Sequence, residues 1–166
     1  MKLEKCNSNS NECDIVALCR NVIDMVEKIK QTQAEVRFST SLSSLKLTTD
    51  SARLQQVLIN LLINATKFTA QGTITLELVK QTEDTALFSV SDTGCGISKE
   101  NQNKIFNRFE KLDENAQGTG LGLSICQLII EQLGGKIWID PDYDKGARFL
   151  FTHPICHAQI KKEETR

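Results

Sequence analysis

The sequence lacks the segments that would place it in a membrane. No apolar run approaches the roughly 20 residues of a membrane span, and the first residues, MKLEKCNSNSNEC, contain no apolar core of a signal peptide. An excess of one charge is also missing, because 20 basic and 21 acidic residues give a formal net charge of -1. We therefore expect a cytoplasmic domain that contacts neither nucleic acid nor membrane, although a longer parent protein can be membrane-anchored.

Metal and disulfide patterns are absent too. The cysteines include no C-x-x-C pair and have no partner histidine at zinc spacing, so free thiols in a reducing compartment fit best. The two histidines, His153 and His157, lie in a strand pattern and in the tail, and neither has the context of a nucleophile, a metal ligand or an acid–base catalyst. The cysteines are Cys6, Cys13, Cys19, Cys95, Cys126 and Cys156.

What the chain does have is enough apolar content for one core. Its 166 residues are 40% hydrophobic and 25% charged, which is ordinary for a soluble globular protein. No internal repeat or low-complexity segment divides it. We predict one domain over residues 1–156, followed by a tail, residues 157–166, that is expected to fray.

Hydrophobic periodicity predicts alternating helices and strands. Apolar residues recur at helical spacing in four stretches and alternate in five others. We expect the second and third strands to form an antiparallel hairpin, and residues 7–12 and 41–49 to contribute no regular core element. The pattern favours a two-layer α/β sandwich with one sheet covered on one face by helices. The predicted helices are 15–29, capped by Asp14, 50–69, 99–109 and 123–133, and the predicted strands are 35–40, 73–79, 86–91, 137–140 and 147–152.

The helix predicted over residues 50–69 carries a narrow polar strip on an otherwise apolar surface. Because such a helix is normally buried, we expect the strip to face something inside the protein. Buried amides without partners cost about 1 to 3 kcal/mol each, so Asn60 and Asn64, one turn apart, imply a network, a ligand or a metal. We favour a ligand, and the alternative is two core amides satisfied by neighbouring backbone. The strip consists of Arg53, Gln56, Asn60, Asn64 and Lys67.

Two glycine-rich stretches follow this helix. The first, Asp92-Thr-Gly-Cys-Gly-Ile97, places a carboxylate at a strand end where the backbone must turn sharply or approach something closely. The second, Gly118-Thr-Gly-Leu-Gly122, follows a polar loop rather than an apolar strand, so it is not a dinucleotide fingerprint. Its backbone amides lead into a helix N-terminus and suit phosphate oxygens, although ordinary turns are an alternative.

Taken in order, these motifs resemble those of one family. Asn-x-x-x-Asn-Ala-x-Lys-Phe, Asp-x-Gly-x-Gly, two phenylalanines and Gly-Thr-Gly-Leu-Gly-Leu are similar to the N, G1, F and G2 boxes of the catalytic ATP-binding domain of sensor histidine kinases. The resemblance covers residues 3–155. It implies the Bergerat fold, a mixed five-stranded sheet covered by about three helices, with ATP and Mg²⁺ held between the helices and a flexible lid over residues 111–117. The boxes lie at 60–68, 92–96, 106–109 and 118–122.

The resemblance also implies residue roles. Asn64 would give a carbonyl oxygen to Mg²⁺ and Asn60 would orient that shell. Lys67 and Lys111 would lie near the triphosphate, and Asp92 would accept a hydrogen bond from the adenine amine. The catalytic residues would then be Asn60, Lys67 and Lys111. The nucleotide contacts would be Asn60, Asn64, Lys67, Phe68, Asp92, Gly94, Gly96, Ile97, Phe106, Phe109, Gly118, Thr119, Gly120, Leu121, Gly122 and Leu123.

Two departures narrow the function. Relatives that hydrolyse ATP carry a glutamate general base four residues before the magnesium-binding asparagine, and this chain has Asn60, whose amide cannot take a proton from water at neutral pH. No His-Glu or His-Asp motif on a long helix precedes the domain, so we expect the phosphoacceptor histidine and its dimerisation helices in a longer parent. The prediction is a catalytic fragment, monomeric alone, that phosphorylates this separate domain and so serves a response regulator indirectly. The alternative is a degenerate module that senses nucleotide or scaffolds a partner.

Overall fold

The chain forms a mixed five-stranded sheet with helices on one face and a two-stranded ribbon beside them. The computed structural model describes residues 10–102 and 122–155. The strands are β1 (Asn11–Asp14), β2 (Glu35–Thr40), β3 (Lys46–Thr49), β4 (Thr73–Thr82), β5 (Thr85–Asp92), β6 (Ile137–Ile139) and β7 (Arg148–Pro154), and the helices are α1 (Ile15–Ile29), α2 (Ser51–Phe68), α3 (Lys99–Gln102) and α4 (Gly122–Gln132).

The main sheet has the strand order β2-β4-β5-β7-β6. The edge strand β2 runs parallel to β4 and the other neighbours are antiparallel, so the predicted mixed sheet and the β4–β5 hairpin are confirmed. Alternate residues of each strand point to the helices. Phe88 of β5 and Phe151 of β7 are opposite one another in this layer, and their rings stack with centroids 4.5 Å apart.

Three helices cover that face of the sheet. α2 lies between α1 and α4, and it packs on β4 and β5 while α4 packs on β6 and β7. The apolar residues predicted to face the core do so, because the broad apolar side of α2 is directed at the sheet. The buried residues of α2 are Leu54, Val57, Leu58, Leu61, Leu62 and Ala65.

An aspartate caps the N-terminus of each of the two long helices, α1 and α2. Asp14, predicted as a cap, accepts a hydrogen bond from Val16 N at 3.1 Å and caps α1. Asp50 accepts one from Arg53 N at 3.3 Å and caps α2. Each carboxylate satisfies an amide that the first turn leaves without an intrahelical partner. The helix predicted over 99–109 is described only as α3, and the rest lies outside the described residues.

The expectation that residues 41–49 contribute no regular core element is wrong in part, whereas residues 11 and 12, although they begin a strand, are exposed and lie outside the core. Asn11–Asp14 pairs antiparallel with Lys46–Thr49 to form the β1–β3 ribbon. β1 could not be predicted from its polar composition, because backbone pairing at a partly exposed position needs no apolar side chain. Only Leu47, which is 1% exposed, anchors the ribbon in the core with a large apolar side chain.

Candidate functional site

The polar strip of α2 is accessible rather than buried, which corrects the expectation that it faces the interior. Arg53, Gln56 and Lys67 are exposed, and Asn60 and Asn64 are half-buried. The reason is the position of α2, whose apolar side contacts the sheet while α1 and α4 cover its flanks. The strip is therefore open to a ligand, and the interpretation as two core amides does not hold.

Asn60 is held by a buried thiol. Its Nδ2 donates to Sγ of Cys126 on α4 at 3.8 Å, a contact within the range for sulfur acceptors. Burial raises the pKa of Cys126 to about 11, partly opposed by the hydrogen bond from Asn60, so the thiol is neutral at pH 7. This contact directs the amide nitrogen of Asn60 toward α4 and leaves its carbonyl oxygen available. Cys126 could not be recognised from sequence, where it is one small residue in an apolar helix.

Asn64 lies one turn after Asn60 and keeps its side-chain amide unused. Within residues 10–102 and 122–155, no other group forms a hydrogen bond with this amide, although the side chain is half-buried. The same part of the chain contains no cluster of three or more His, Cys, Asp or Glu side chains that would hold a metal ion. A single amide oxygen is compatible with Mg²⁺, because Mg²⁺ takes few protein ligands and fills its remaining positions with water and phosphate.

Asp92 is a buried carboxylate at the end of β5. The residue is 4% exposed, and its Oδ1 accepts hydrogen bonds from Gly94 N at 2.9 Å and Ala147 N at 3.2 Å. Burial raises the pKa of Asp92, and the two backbone N–H groups and the nearby Thr69 hydroxyl partly oppose that shift. One carboxylate oxygen is thus fixed by backbone, while the described part of the chain provides no N–H for the other.

Three distant segments meet around this carboxylate through close backbone contacts. A Cβ on Gly94 would lie 2.0 Å from the carbonyl oxygen of Phe68 at the end of α2, and one on Gly146 would lie 2.2 Å from the carbonyl oxygen of Asp92. Cys95 N also donates to Phe68 O at 3.2 Å. Only glycine allows these approaches, so the two glycines fix how α2, β5 and the β6–β7 loop surround Asp92.

The predicted site residues are brought together in part. Asn60, Asn64, Lys67 and Phe68 lie on one helix whose last turn contacts the loop that contains Asp92, Gly94, Gly96 and Ile97. Gly122 and Leu123 begin α4, the helix that contacts Asn60. Phe106, Phe109, Lys111, Gly118, Thr119, Gly120 and Leu121 lie outside the described residues.

The β6–β7 loop contributes residues that sequence reasoning missed. Besides the Ala147 amide, Tyr143 donates its hydroxyl to the carbonyl oxygen of Asp92 at 3.2 Å. The Arg148 guanidinium lies 4.7 Å from the centroid of the Tyr143 ring and donates to Ser91 Oγ at 3.0 Å. The only signal of this loop in the sequence is Gly146, which is also typical of an ordinary turn.

Comparison with known proteins supports a nucleotide site. Residues 49–156 match the family described as histidine kinase-, DNA gyrase B- and HSP90-like ATPase. The adaptive-response sensory kinase SasA of Parasynechococcus marenigrum is 36% identical over 156 residues, 91% of this chain and 41% of that kinase. The chain spans 32% of the length of a second SasA kinase, from a Synechococcus strain.

Solved structures agree with the fold. The nucleotide-free catalytic domain of histidine kinase ThkA is 36% identical, with a TM-score of 0.78 over 88% of this chain and 95% of that domain. ThkA in complex with the response regulator protein TrrA is 33% identical, with a TM-score of 0.75 over 89% of this chain and 42% of that chain.

The fold and the site therefore define a Bergerat-fold, ATP-binding catalytic domain. The chain belongs to the histidine kinase-, DNA gyrase B- and HSP90-like ATPase family, and within it the domain is of the sensor histidine kinase type. Among the helices of residues 10–102 and 122–155, none combines the length and hydropathy needed to cross a membrane.

Proposed function

We propose that this domain binds ATP with Mg²⁺ and donates the γ-phosphoryl group to a histidine on a separate dimerisation domain of a longer, cytoplasmically exposed kinase. The observation that carries the proposal is the accessible pair of amides on α2, Asn60 and Asn64, beside the buried carboxylate Asp92. The pair offers amide oxygen atoms to a metal but no group that takes a proton from water. A response regulator would receive the phosphoryl group from that histidine, as the complex of ThkA with TrrA suggests by similarity.

Asp92 defines the end of the proposed site that would bind the adenine base. Its Oδ1 is occupied by Gly94 N and Ala147 N, so its second oxygen remains to accept a hydrogen bond from the adenine amine. Guanine would present a carbonyl oxygen there, and two acceptors facing each other in a desolvated site cost affinity. Phe68, half-buried at the end of α2, supplies an apolar surface for the base.

At the phosphate end, the residues of α2 have different tasks. Lys67 is exposed in the last turn and would balance phosphate charge, together with Lys111. Asn64 would hold Mg²⁺ through its unused amide, and Asn60, held by Cys126, would orient the surrounding shell. When bound, Mg²⁺ would neutralise charge on the phosphate oxygens. The second glycine loop, Gly118 to Gly122, would surround the phosphates with backbone amides.

Phosphotransfer in trans tests the proposal. The domain alone is expected to bind MgATP and to remain unlabelled by γ-labelled ATP, and to label the dimerisation and histidine domain of its parent when the two are mixed. Asn64→Ala should abolish transfer because it removes the metal ligand, whereas Gln56→Ala, an exposed residue of the same strip, should not change it. Acid-labile phosphate on this chain alone, or undiminished transfer by Asn64→Ala, would contradict the mechanism.

Calorimetric titration, combined with the transfer assay, separates this function from that of a degenerate module. We expect the unsubstituted domain to bind ATP and ADP and to bind GTP much more weakly. Mg²⁺ should strengthen ATP binding in this domain but not in its Asn64→Ala variant. Nucleotide binding without any transfer to the parent's histidine domain would instead indicate a sensing or scaffolding role.

A further inference from the structure

Tyr143, in the loop between β6 and β7, donates its hydroxyl to the main chain of Asp92 rather than to the carboxylate. The accepting atom is the Asp92 carbonyl oxygen, at 3.2 Å. The backbone of Gly146 packs against the same oxygen, since a Cβ on this glycine would lie 2.2 Å from it. The peptide group between Asp92 and Thr93 is therefore held by a hydroxyl and by a close backbone contact from one loop.

This peptide group belongs to a small ring that fixes the carboxylate. Asp92 Oδ1 accepts from Gly94 N at 2.9 Å, so the hydrogen-bonded ring includes the Asp92 carbonyl carbon and the backbone of Thr93. Rotation of the peptide group would displace Gly94 N and with it the oxygen that this N–H holds. A hydroxyl that fixes the peptide group therefore also fixes the direction of the second carboxylate oxygen.

The ring of Tyr143 is itself held by Arg148 of β7. The Arg148 guanidinium lies 4.7 Å from the ring centroid, within the range of a cation–π contact. Its Nε donates to Ser91 Oγ at 3.0 Å, and its Nη1 lies 3.7 Å from Asp140 Oδ2. Burial raises the pKa of Tyr143 and Arg148 partly opposes that shift, so the hydroxyl is protonated at pH 7 and can donate. Because Ser91 directly precedes Asp92, the contacts return to the strand from which they start.

The turn that contains Tyr143 does not depend on the hydroxyl for its position. Asp140 N donates to the Arg148 carbonyl oxygen at 2.9 Å, and the Lys99 side chain donates to the Pro141 carbonyl oxygen at 2.9 Å. Tyr143 is also only half-buried. We therefore expect removal of the hydroxyl to free the Asp92 peptide group without unfolding the turn.

We propose that Tyr143 and Arg148 are positioning residues for nucleotide binding. Arg148 holds the Tyr143 ring, and the Tyr143 hydroxyl fixes the peptide group after Asp92, so that the carboxylate is correctly directed before the nucleotide arrives. Such preorganisation raises affinity because the ligand does not have to order the group that binds it. Neither side chain needs to touch the nucleotide. This inference rests on the proposed function, because it assumes that Asp92 accepts from the adenine amine.

Tyr143→Phe tests the role because it removes the hydroxyl and keeps the ring beside Arg148. ADP affinity, measured by calorimetric titration, should fall about fivefold, which corresponds to one ordinary hydrogen bond. The unfolding midpoint should change little, since the turn keeps its other bonds. Asp142→Ala, an exposed change in the same turn, is the control and should bind ADP as the unsubstituted domain does.

Arg148→Lys tests the second positioning residue. Lysine keeps the charge but has no planar group to stack on the ring, so ADP affinity should fall about threefold. Because Arg148 acts through Tyr143, the double variant of Tyr143→Phe and Arg148→Lys should bind ADP no more weakly than Tyr143→Phe alone. Additive losses would show that Arg148 does not act through the hydroxyl.

A nucleotide without the amine separates positioning from a purely structural role. Purine riboside diphosphate lacks the exocyclic amine of ADP, so the unsubstituted domain should bind it more weakly than ADP. Tyr143→Phe should lose affinity for ADP but not for this analogue, and the difference between the two ligands should become smaller. An equal loss for both ligands, or an unchanged affinity for ADP, would overturn the proposal.

The same two ligands keep this inference distinct from the proposed function. If the unsubstituted domain prefers ADP to purine riboside diphosphate and Tyr143→Phe has the same preference, the role of Tyr143 is wrong and the nucleotide site stands. If the unsubstituted domain binds no ADP, or does not distinguish the two ligands, the proposed role of Asp92 is wrong and this inference is wrong with it.

Discussion

Asp92 and His153 are two buried polar side chains on the helix-covered face of the same sheet, and they differ in how their hydrogen bonds are used. Asp92 ends β5 and is 4% exposed, and His153, near the opposite end of the sheet on β7, is 2% exposed. Burial moves the pKa of each toward its neutral form, upward for Asp92 and downward for His153. By burial and pKa alone, either residue would be a candidate functional group.

The partners distinguish the two residues. His153 Nδ1 donates to the Pro154 carbonyl oxygen at 2.8 Å and Nε2 accepts from the Thr49 hydroxyl at 2.9 Å, so both nitrogens of the neutral ring are satisfied. Asp92 has one oxygen fixed by two backbone N–H groups, and the described part of the chain offers no N–H to its second oxygen. We infer from this difference that unused hydrogen-bonding capacity, rather than burial alone, distinguishes a candidate ligand-binding residue from a structural one.

The largest expected effect is on binding at the Asp92 end. Asp92→Ala should weaken ADP binding about a hundredfold, or about 2.7 kcal/mol, because the adenine amine loses its charged acceptor. Calorimetric titration measures the change, with exposed Cys95→Ser as the control in the same loop. His153→Ala should leave ADP affinity within about twofold in folded protein. Comparable losses of affinity at both residues would break the comparison.

The next effect is on stability at the His153 end. His153→Ala should lower the free energy of unfolding by about 2 kcal/mol, because it leaves a cavity and a buried Thr49 hydroxyl without its partner. Urea unfolding measures the change. Adding Thr49→Val should lower the free energy of unfolding by less in the His153→Ala variant than in the unsubstituted domain, since the two side chains share one hydrogen bond. Additive losses would show that this bond contributes nothing.

Gly146→Ala sharpens the comparison without altering any polar group. The new Cβ would lie 2.6 Å from Asp92 Oδ1, so the carboxylate must move. We expect ADP affinity to fall about tenfold, or about 1.4 kcal/mol. Asp144→Ala, an exposed change in the same turn, is the control and should bind ADP normally. Unchanged affinity in Gly146→Ala would mean that the position of the carboxylate is not critical.

The smallest expected effect is a pH dependence of stability due to His153. Its folded pKa lies below the ordinary value of about 6.5, so its contribution to stability is present above pH 6.5 and is lost as the pH falls toward the folded pKa. Asp92 has the opposite sign, since its raised pKa favours the folded state below the ordinary value of about 3.8 and disfavours it as the pH rises through the folded pKa. As the pH is lowered from 7 to 5, the unfolding midpoint should therefore decline less in His153→Ala than in the unsubstituted domain.

The periodicity of apolar residues was sufficient to predict the main helices and strands. Residues 15–29 and 35–40 form the predicted helix and strand, and α2 differs from its predicted range by one residue at each end. These elements have long apolar patterns and clear caps, such as Asp14, so local physics determines them. β1 was missed because its pairing with Lys46–Thr49 depends on partners that a local pattern cannot show.

The candidate site was predictable as motifs but not as a geometry. Asn60, Asn64 and Asp92 were singled out because their polarity contrasts with an apolar helix or ends a strand. Ala147 was not, since its role comes from a backbone N–H, which every residue except proline has. The strip of α2 was wrongly expected to face inward because periodicity describes faces of a helix but not what covers them.

The backbone contacts around Asp92 also have a consequence for folding. The groups around Asp92 come from far along the chain, since the bond from Ala147 N to Asp92 spans 55 residues. Such long loops close late, because their entropy must be offset before the contacts that reward them exist. The backbone contacts around Asp92 are therefore incomplete until β7 has docked, and partly folded chains lack them. Nucleotide then stabilises only the finished domain, by about 2.7 kcal/mol at a hundred times its dissociation constant, and shifts the population toward completely folded molecules.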